Sequence, residues 1–413
     1  MTGCWELPTD PAEAGFDGNR LGRIRERLGE RIREGKLAGA AACVSKKGRV
    51  ALCEIQGYAD VESGKALLAN SIFRLASMTK PIVAVAVMKL AEQGGLALED
   101  PLSRFIPAFG APQVAVPHGE SSVSPYAPNP DSPAGHIAEQ AVAYALTPAV
   151  REATIRDLLT HSSGLGQGPI GFRQITLPPP GATLADHVPS WVGAPLDFQP
   201  GTRTGYSPVA AFDLLGRIVE IVSDMPLDRY LRQMLFEPLG MKDTTFAPSK
   251  EQWERVVTMY QSTERGLSRS ADQKPFFHPT YFSGAAGLFS TLEDYVRFAR
   301  MLANGGEFEG RRILNPHTVQ AMASPQLPES IEGFPSGQTW GLGMRVVTRD
   351  HAANTSLTKG SFGWSGAWGT HFWIDPKHEI VAALMINLAN AGGADAETAR
   401  EFESDVMAAL PDR

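Results

Sequence analysis

The chain is short of cysteine, of long apolar runs and of positive charge. Only three of its 413 residues are cysteine (Cys4, Cys43 and Cys53), too few and too odd in number for a disulfide framework. Cys43 and Cys53 are expected to face each other across a hairpin centred on Lys46-Lys47-Gly48, as small buried residues in a reducing compartment. No apolar run reaches the roughly 18 residues that span a bilayer, so no membrane partner is expected. With 38 basic against 45 acidic residues, the net charge of −7 provides no basic face for nucleic acid. Met1 to Asp10 has neither a basic start nor an apolar stretch and does not read as a signal peptide, which points to a cytoplasmic location. There is no H-E-x-x-H, since His378-Glu379 runs into Ile380, Val381 and Ala382. A phosphate-cradling P-loop, a paired C-x-x-C and internal repeats are missing as well. No metal and no cofactor are expected.

What is present fits a globular protein with a sizeable core: 43% of residues are hydrophobic and 20% charged. The length allows about two packed units, or one large domain with an insertion. Leu21, Ile24, Leu28 and Ile32 recur at helical spacing, and two strand-like runs follow, Gly39–Ser45 and Val50–Gly57. A helix is expected over Pro81–Gln93, stopped by Gly94-Gly95. Pro107–Gly135, rich in Pro, Ser, Gly and Asn, reads as a long loop. Further helices fall on Ile155–His161, Ala210–Ser223, Leu227–Leu235 and within Leu288–Asn304, the last entered through Ser290-Thr291-Leu292-Glu293. Ala367–Ile374 and Ile380–Leu388 read as a closing hairpin, and Ala394–Leu410 as a final helix. Strands thus gather at both ends and helices in the middle. The expected division is 1–88 and 266–413 for the two parts of a mixed domain, with a helical unit of long loops over 89–265.

Acyl transfer needs an activated nucleophile, a base and donors for the oxyanion. Ser77-Met78-Thr79-Lys80 places a serine and a lysine nearly one helical turn apart, where they share a face. The pattern alone is weak, because Ser356-Leu357-Thr358-Lys359 matches it too. Context separates them: Ser77 follows a strand-like run and opens an apolar helix with Pro81 in its first turn, whereas Ser356 precedes Gly360 and no helix. A plain helix cap is the alternative for Ser77. Pro200–Pro208 holds Tyr206 in a Gly-rich turn before a helix, where the neighbouring Lys80 could lower the cost of ionising it. Gly363-Trp364-Ser365-Gly366-Ala367 is a near miss for G-x-S-x-G, but a strand rather than a helix follows, so Ser365 is rejected as nucleophile. Gly366 allows close approach of a substrate, and the next N–H is a possible oxyanion donor. His161 reads as a hydrogen-bonded structural histidine.

Phe73–Pro81 resembles the active-site segment of class C β-lactamases and their esterase relatives. Leu158–Leu165, Pro200–Ser207, Gly284–Thr291 and Gly366–Asn390 are similar to further signatures of that superfamily, in the same order along the chain. The subgroup most like this chain is the family VIII carboxylesterases. The resemblance implies an α+β fold of the β-lactamase/transpeptidase kind, an antiparallel sheet flanked by helices with a mainly helical insertion. It also implies Ser77 as nucleophile, Lys80 and Tyr206 sharing the proton work, and the N–H groups of Ser77 and Ala367 as the oxyanion hole. Two departures matter. β-Lactamases carry an Asn two residues after the tyrosine, where this chain has Pro208, and Lys-Thr-Gly on the closing strand, where it has Trp364-Ser365-Gly366. Trp364 removes a cation and adds an apolar surface, which favours neutral esters over anionic β-lactams. A carboxylesterase for small neutral, short-chain esters is therefore expected. The alternatives are a β-lactamase or D-amino-acid peptidase, an acyltransferase on the same site, and a non-enzymatic binding protein.

Overall fold

Side-chain alternation along one Ala-rich strand shows how the molecule is layered. Ala40, Ala42 and Val44 join one apolar core and Ala41 and Cys43 a second, because neighbouring residues of a strand point to opposite faces. In the computed structural model, which describes residues 6, 8–118, 143–271, 273–275, 277–389, 391–393 and 396–411, this strand lies inside an eight-stranded sheet. The strands are β1 (Gly39–Lys46), β2 (Arg49–Asp60), β3 (Lys65–Ala66), β4 (Gln338–Trp340), β5 (Arg345–Val347), β6 (Phe362–Gly366), β7 (Thr370–Asp375) and β8 (Ile380–Ile386). They run in the order β4-β5-β6-β7-β8-β1-β2-β3, every neighbouring pair antiparallel. The first hairpin of the chain thus pairs with the last, Ala40 opposite Ile386.

Six helices position the site: α1 (Gly18–Arg33), α2 (Thr79–Glu92), α3 (Ile155–Leu159), α4 (Ala210–Ser223), α5 (Leu292–Ala303) and α6 (Glu397–Ala408). One face of the sheet is covered by α1 and α6, whose Leu21, Ile24, Leu28, Phe402 and Val406 share a core with Val44 and Leu384. Arg27–Asp405 and Arg31–Glu401 ion pairs join the two helices along their outer edge. The other face packs on α2 and α5. Helix α2 is buried from Thr79 to Met88 and again at Leu90, so it runs through the interior rather than along the surface. α4 packs against it.

Several boundaries differ from the sequence expectation. The region expected as a loop from Pro107 opens with a 3₁₀ turn over Pro107–Phe109 and a strand, Gln113–Pro117, paired with Tyr144–Pro148; residues 119–142 lie outside the described part. The β-branched Val114 and Val116 suit a pleated surface despite the prolines around them. Ala367–Gly369 is a turn rather than the start of a strand, and the strand before it, β6, was expected only through the resemblance, which put Trp364–Gly366 on the closing strand. α5 is capped by Thr291, whose side chain accepts from the Asp294 N–H, so the capping residue is one later than Ser290. Leu227–Leu231 is α-helical and then widens into a π turn over Arg232–Phe236. Cys43 and Cys53 do face each other in register, but only Cys43 is the free, buried thiol expected; Cys53 is half-buried and disulfide-bonded. Among the described residues no helix is long and apolar enough to cross a membrane.

Gly363 measures how closely β6 and β7 approach. A Cβ there would lie 2.2 Å from the Phe372 carbonyl oxygen and 2.7 Å from Trp373 Cα, both backbone. Gly363→Ala is expected to destabilise the protein by roughly 1–3 kcal/mol, as overpacking does. Gly193→Ala, where nothing lies within 4 Å, should stay within about 0.5 kcal/mol of wild type when both variants are unfolded in urea.

Candidate active site

The turn that carries Ser77 is held in an uncommon backbone conformation. Ala76 has φ 46, a left-handed value that costs a side-chain-bearing residue energy and persists only where its surroundings enforce it. They do so here. The Leu75 N–H donates to the Leu288 carbonyl, and the Leu75 carbonyl accepts from Thr370 Oγ1 at 2.9 Å. Tyr295 Oη donates to the Met78 carbonyl, and the Leu288 N–H donates to Thr79 Oγ1. Ser77 therefore stands at a fixed corner, in a 3₁₀ turn (Ala76–Met78) that runs directly into α2.

Lys80, in the first turn of α2, is 1% exposed. Its ammonium donates to Ser77 Oγ at 3.2 Å, to the Pro208 carbonyl at 2.8 Å and to the Ala285 carbonyl at 2.9 Å. All three of its protons are thereby used, and among the described residues no carboxylate pairs with it directly. The Nζ atom also lies 5.0 Å from the centre of the Tyr206 ring and 5.7 Å from that of Phe212. The structure thus brings Ser77, Lys80 and Tyr206 together, as the sequence led one to expect. Ser356 and Lys359 are both exposed and carry no helix.

Trp364 closes the same site from β6. Its indole Nε1 donates to Tyr206 Oη at 3.4 Å, and the two rings are 5.4 Å apart. Trp340 stacks parallel to Tyr206 at 6.2 Å and meets Trp364 at 4.6 Å, extending an aromatic wall that the sequence did not reveal. Gly366 pairs with Thr370, the residue that holds Leu75, and a Cβ on it would strike the Leu75 carbonyl at 2.2 Å. The end of β6 therefore lies against the serine turn, with Ala367 exposed just beyond it. β5 pairs with β6 only as far as Gly363, so the edge of Trp364–Gly366 is left open on that side.

His161 is buried behind Tyr206. It too is left-handed, φ 52, at the end of the short α3, which a Thr154–Asp157 capping box starts. Nδ1 accepts the Ser207 N–H at 3.1 Å, so the ring proton sits on Nε2, which has no hydrogen-bond partner among the described residues. Burial pushes this imidazole well below its ordinary value, with the Lys80 charge adding to the effect, so the ring is neutral and braces the tyrosine loop. Ser365, one residue from Trp364, points to the opposite face of the sheet. There its Oγ meets His371 Nδ1 at 2.7 Å, with Glu403 of α6 3.1 Å beyond Nε2. All three are buried, and no helix follows Ser365, in keeping with its rejection as nucleophile.

Asp213 on α4 was not singled out from the sequence, although it is a lone carboxylate in the apolar run Ala210–Val219. It is fully buried and accepts from Ser283 Oγ at 2.7 Å, from the Ala285 N–H at 2.9 Å and from Tyr281 Oη at 2.9 Å. Burial raises its pKa to about 6, against the pull of those donors and of Lys80.

A sequence model of the family described as Beta-lactamase matches residues 24–404. The chain belongs to the Beta-lactamase family. Among characterised and uncharacterised members alike, it is similar to Protein Rv1367c of Mycobacterium tuberculosis (strain H37Rv), 34% identical over 85% of this chain and 86% of that protein. It is 29% identical to Esterase EstB of Burkholderia gladioli, over 93% of this chain and 94% of the esterase. The solved structure of EstCE1, described as a hydrolase with promiscuous acyltransferase activity, superposes with a TM-score of 0.76 at 24% identity, covering 94% of this chain and 98% of that one. That likeness shows the α+β fold of the family, antiparallel sheet and flanking helices included. The protein is a serine hydrolase of the β-lactamase-like kind.

The Asp213 carboxyl has a stability consequence. Its folded pKa lies above the unfolded value, so the folded state holds the proton between about pH 4 and pH 6, and stability falls as pH rises through that window. Asp213→Asn keeps an acceptor for Ser283 and Ala285 and loses the charge. It is expected to melt higher than wild type at pH 7–8, by on the order of 1–3 kcal/mol, with the gap closing below about pH 4.

Proposed function

We propose that the protein is a carboxylesterase that hydrolyses small, neutral, short-chain esters through an acyl-enzyme on Ser77. The observation that carries the reading is the Lys80 ammonium on Ser77 Oγ beneath the Tyr206 ring, with the apolar Trp364 against Tyr206 at the place that the family resemblance gives to a substrate-holding lysine. Once the Lys80–Tyr206 pair has released one proton to solvent, Ser77 Oγ attacks the ester carbonyl and its own proton passes to that pair. The backbone N–H groups of Ser77 and Ala367 receive the developing oxyanion, and Gly366 lets the substrate lie against the open edge of β6. Collapse of the tetrahedral species returns the proton to the departing alcohol and leaves the acyl group on Ser77. Water, activated by the same pair, then releases the acid.

Support for an ester comes from three sides. The similar EstB is named an esterase. Pro208 offers no side-chain amide for a β-lactam, and its carbonyl is occupied by Lys80. The surface beside the site is aromatic as well: Phe246, Phe277, Tyr281, Phe289 and Trp368 line a small hollow, with room for about one water, that borders Ala286 and Gly287. Arg74 also lines it, but its guanidinium donates to the Val257 and Gln273 carbonyls. Transfer to an alcohol in place of water needs no change in these parts. EstCE1 is described as having such an activity, so product analysis with added alcohol accompanies the test.

The test is a ladder of p-nitrophenyl esters and a chromogenic cephalosporin, offered to wild type and Ser77→Ala side by side. Short esters are expected to turn over far faster than the cephalosporin, and Ser77→Ala to lose at least about 1,000-fold in kcat. Faster cephalosporin turnover would sink the argument from Trp364 and Pro208. Because the Lys80–Tyr206 pair must release a proton before it can take one from Ser77, activity should climb toward alkaline pH, and an optimum below about pH 6 would count against the assigned pair.

A further inference from the structure

Buried charges are expensive and are normally paired. Lys80 and Asp213 are both buried, yet each takes only neutral partners in hydrogen bonds. One residue joins them. The Ala285 carbonyl accepts from Lys80 while the Ala285 N–H donates to Asp213, so the two charges flank a single residue of the 281–285 segment. The groups facing Asp213 are Tyr281 Oη, Ser283 Oγ and the Ala285 N–H from that segment and, from α2, the Lys80 ammonium. On its own helix the nearest charge one turn on, Arg217, is paired with Glu220. His187 stands behind Tyr281, ring centres 5.8 Å apart.

We propose that Asp213 is a positioning residue for the Lys80–Tyr206 pair: its carboxylate aims the Ala285 carbonyl at the ammonium and supplies the fixed negative charge that opposes loss of a proton from the pair. The inference rests on the reading of Ser77, Lys80 and Tyr206 as the reacting groups. A purely structural acceptor would be served equally well by a neutral amide, which could take the Ser283 and Ala285 donors while its nitrogen faced Tyr281 Oη. The charge itself is unfavourable for folding, as its raised pKa records, and its retention beside a lysine calls for a role that needs charge.

The sign of the effect does not depend on which member of the pair is the base. A negative charge nearby makes removal of one proton from the pair harder, so taking the charge away makes it easier. Asp213→Asn is therefore expected to move the rising limb of the kcat/KM–pH profile for p-nitrophenyl acetate to lower pH, by roughly half a unit to one unit, with KM little changed. Asp213→Ser, which lacks the charge as well, should move the limb the same way, and it carries the test if Asp213→Asn fails to fold by circular dichroism. Both limbs staying at the wild-type position, with kcat lowered equally at every pH, would reduce Asp213 to a structural acceptor and overturn the proposal. Lys80→Ala separates the two levels. Retained turnover there would sink the assignment of the site itself, whereas a dead Lys80→Ala with unmoved limbs sinks only the role of Asp213.

Discussion

The buried ammonium of Lys80 is the constraint on which the site depends. An amine at 1% exposure is tolerable only if every proton finds an acceptor, and these acceptors come from three distant parts of the chain. Ser77 Oγ belongs to its own turn, the Pro208 carbonyl to the tyrosine loop and the Ala285 carbonyl to the segment before α5. Satisfying one cation therefore fixes the relative positions of serine, tyrosine and the Asp213 cradle. The same junction is reinforced one residue earlier, where Thr79 Oγ1 accepts from the Leu288 N–H. Moving any of the three segments would leave a buried donor without an acceptor, which is costlier than the hydrogen bond is worth.

Strand β6 serves the site because its two faces do different work. Trp364 joins the aromatic wall against Tyr206, while Ser365 reaches the other side of the sheet and is tied through His371 to α6. Burial pushes the Glu403 carboxyl up, but the Arg345 charge, His371 and Thr355 outweigh it and hold it at about 2. An ionised, buried anchor thus lies under the residue preceding Gly366, fixing the end of the strand that abuts the Leu75 carbonyl. The serine of the near-miss G-x-S-x-G is accordingly a strut, and the alternation of a β-strand is enough to say why it cannot also face the substrate.

Much of this was legible from residue order. α1, the β1–β2 hairpin, α2 and α4 follow from apolar spacing and turn residues, and Ser77 was distinguished from Ser356 by Pro81 and the apolar helix after it. What the sequence hid was whatever depends on contacts between distant segments. The strand at β6 is short and Gly-rich, so its pairing with β7 rather than its propensity makes it a strand. Gln113–Pro117 hides among prolines and becomes visible only through Tyr144–Pro148. Trp340 and Asp213 lie far along the chain from Tyr206 and Ala285, and no local pattern announces where they end up. Asp213 did carry one signal, a carboxylate on the buried face of an apolar helix, where an acid is retained only with a partner or a purpose.

The same logic bears on substrate charge. The three protons of Lys80 are spent on Ser77 and two carbonyls, so the lysine is not available to hold a substrate carboxylate. His161, the other nitrogen base near Tyr206, is neutral and packed between Tyr206, Phe212 and Trp340. Trp364 and Trp340 give the wall beside the tyrosine low polarity, and an anion placed against it would lose water without gaining a cation. A neutral ester loses little there, and its carbonyl meets donors only at the oxygen where charge develops. Under the proposed ester reading, selection against charged substrates lies in the ground state and stabilisation of the oxyanion in the transition state.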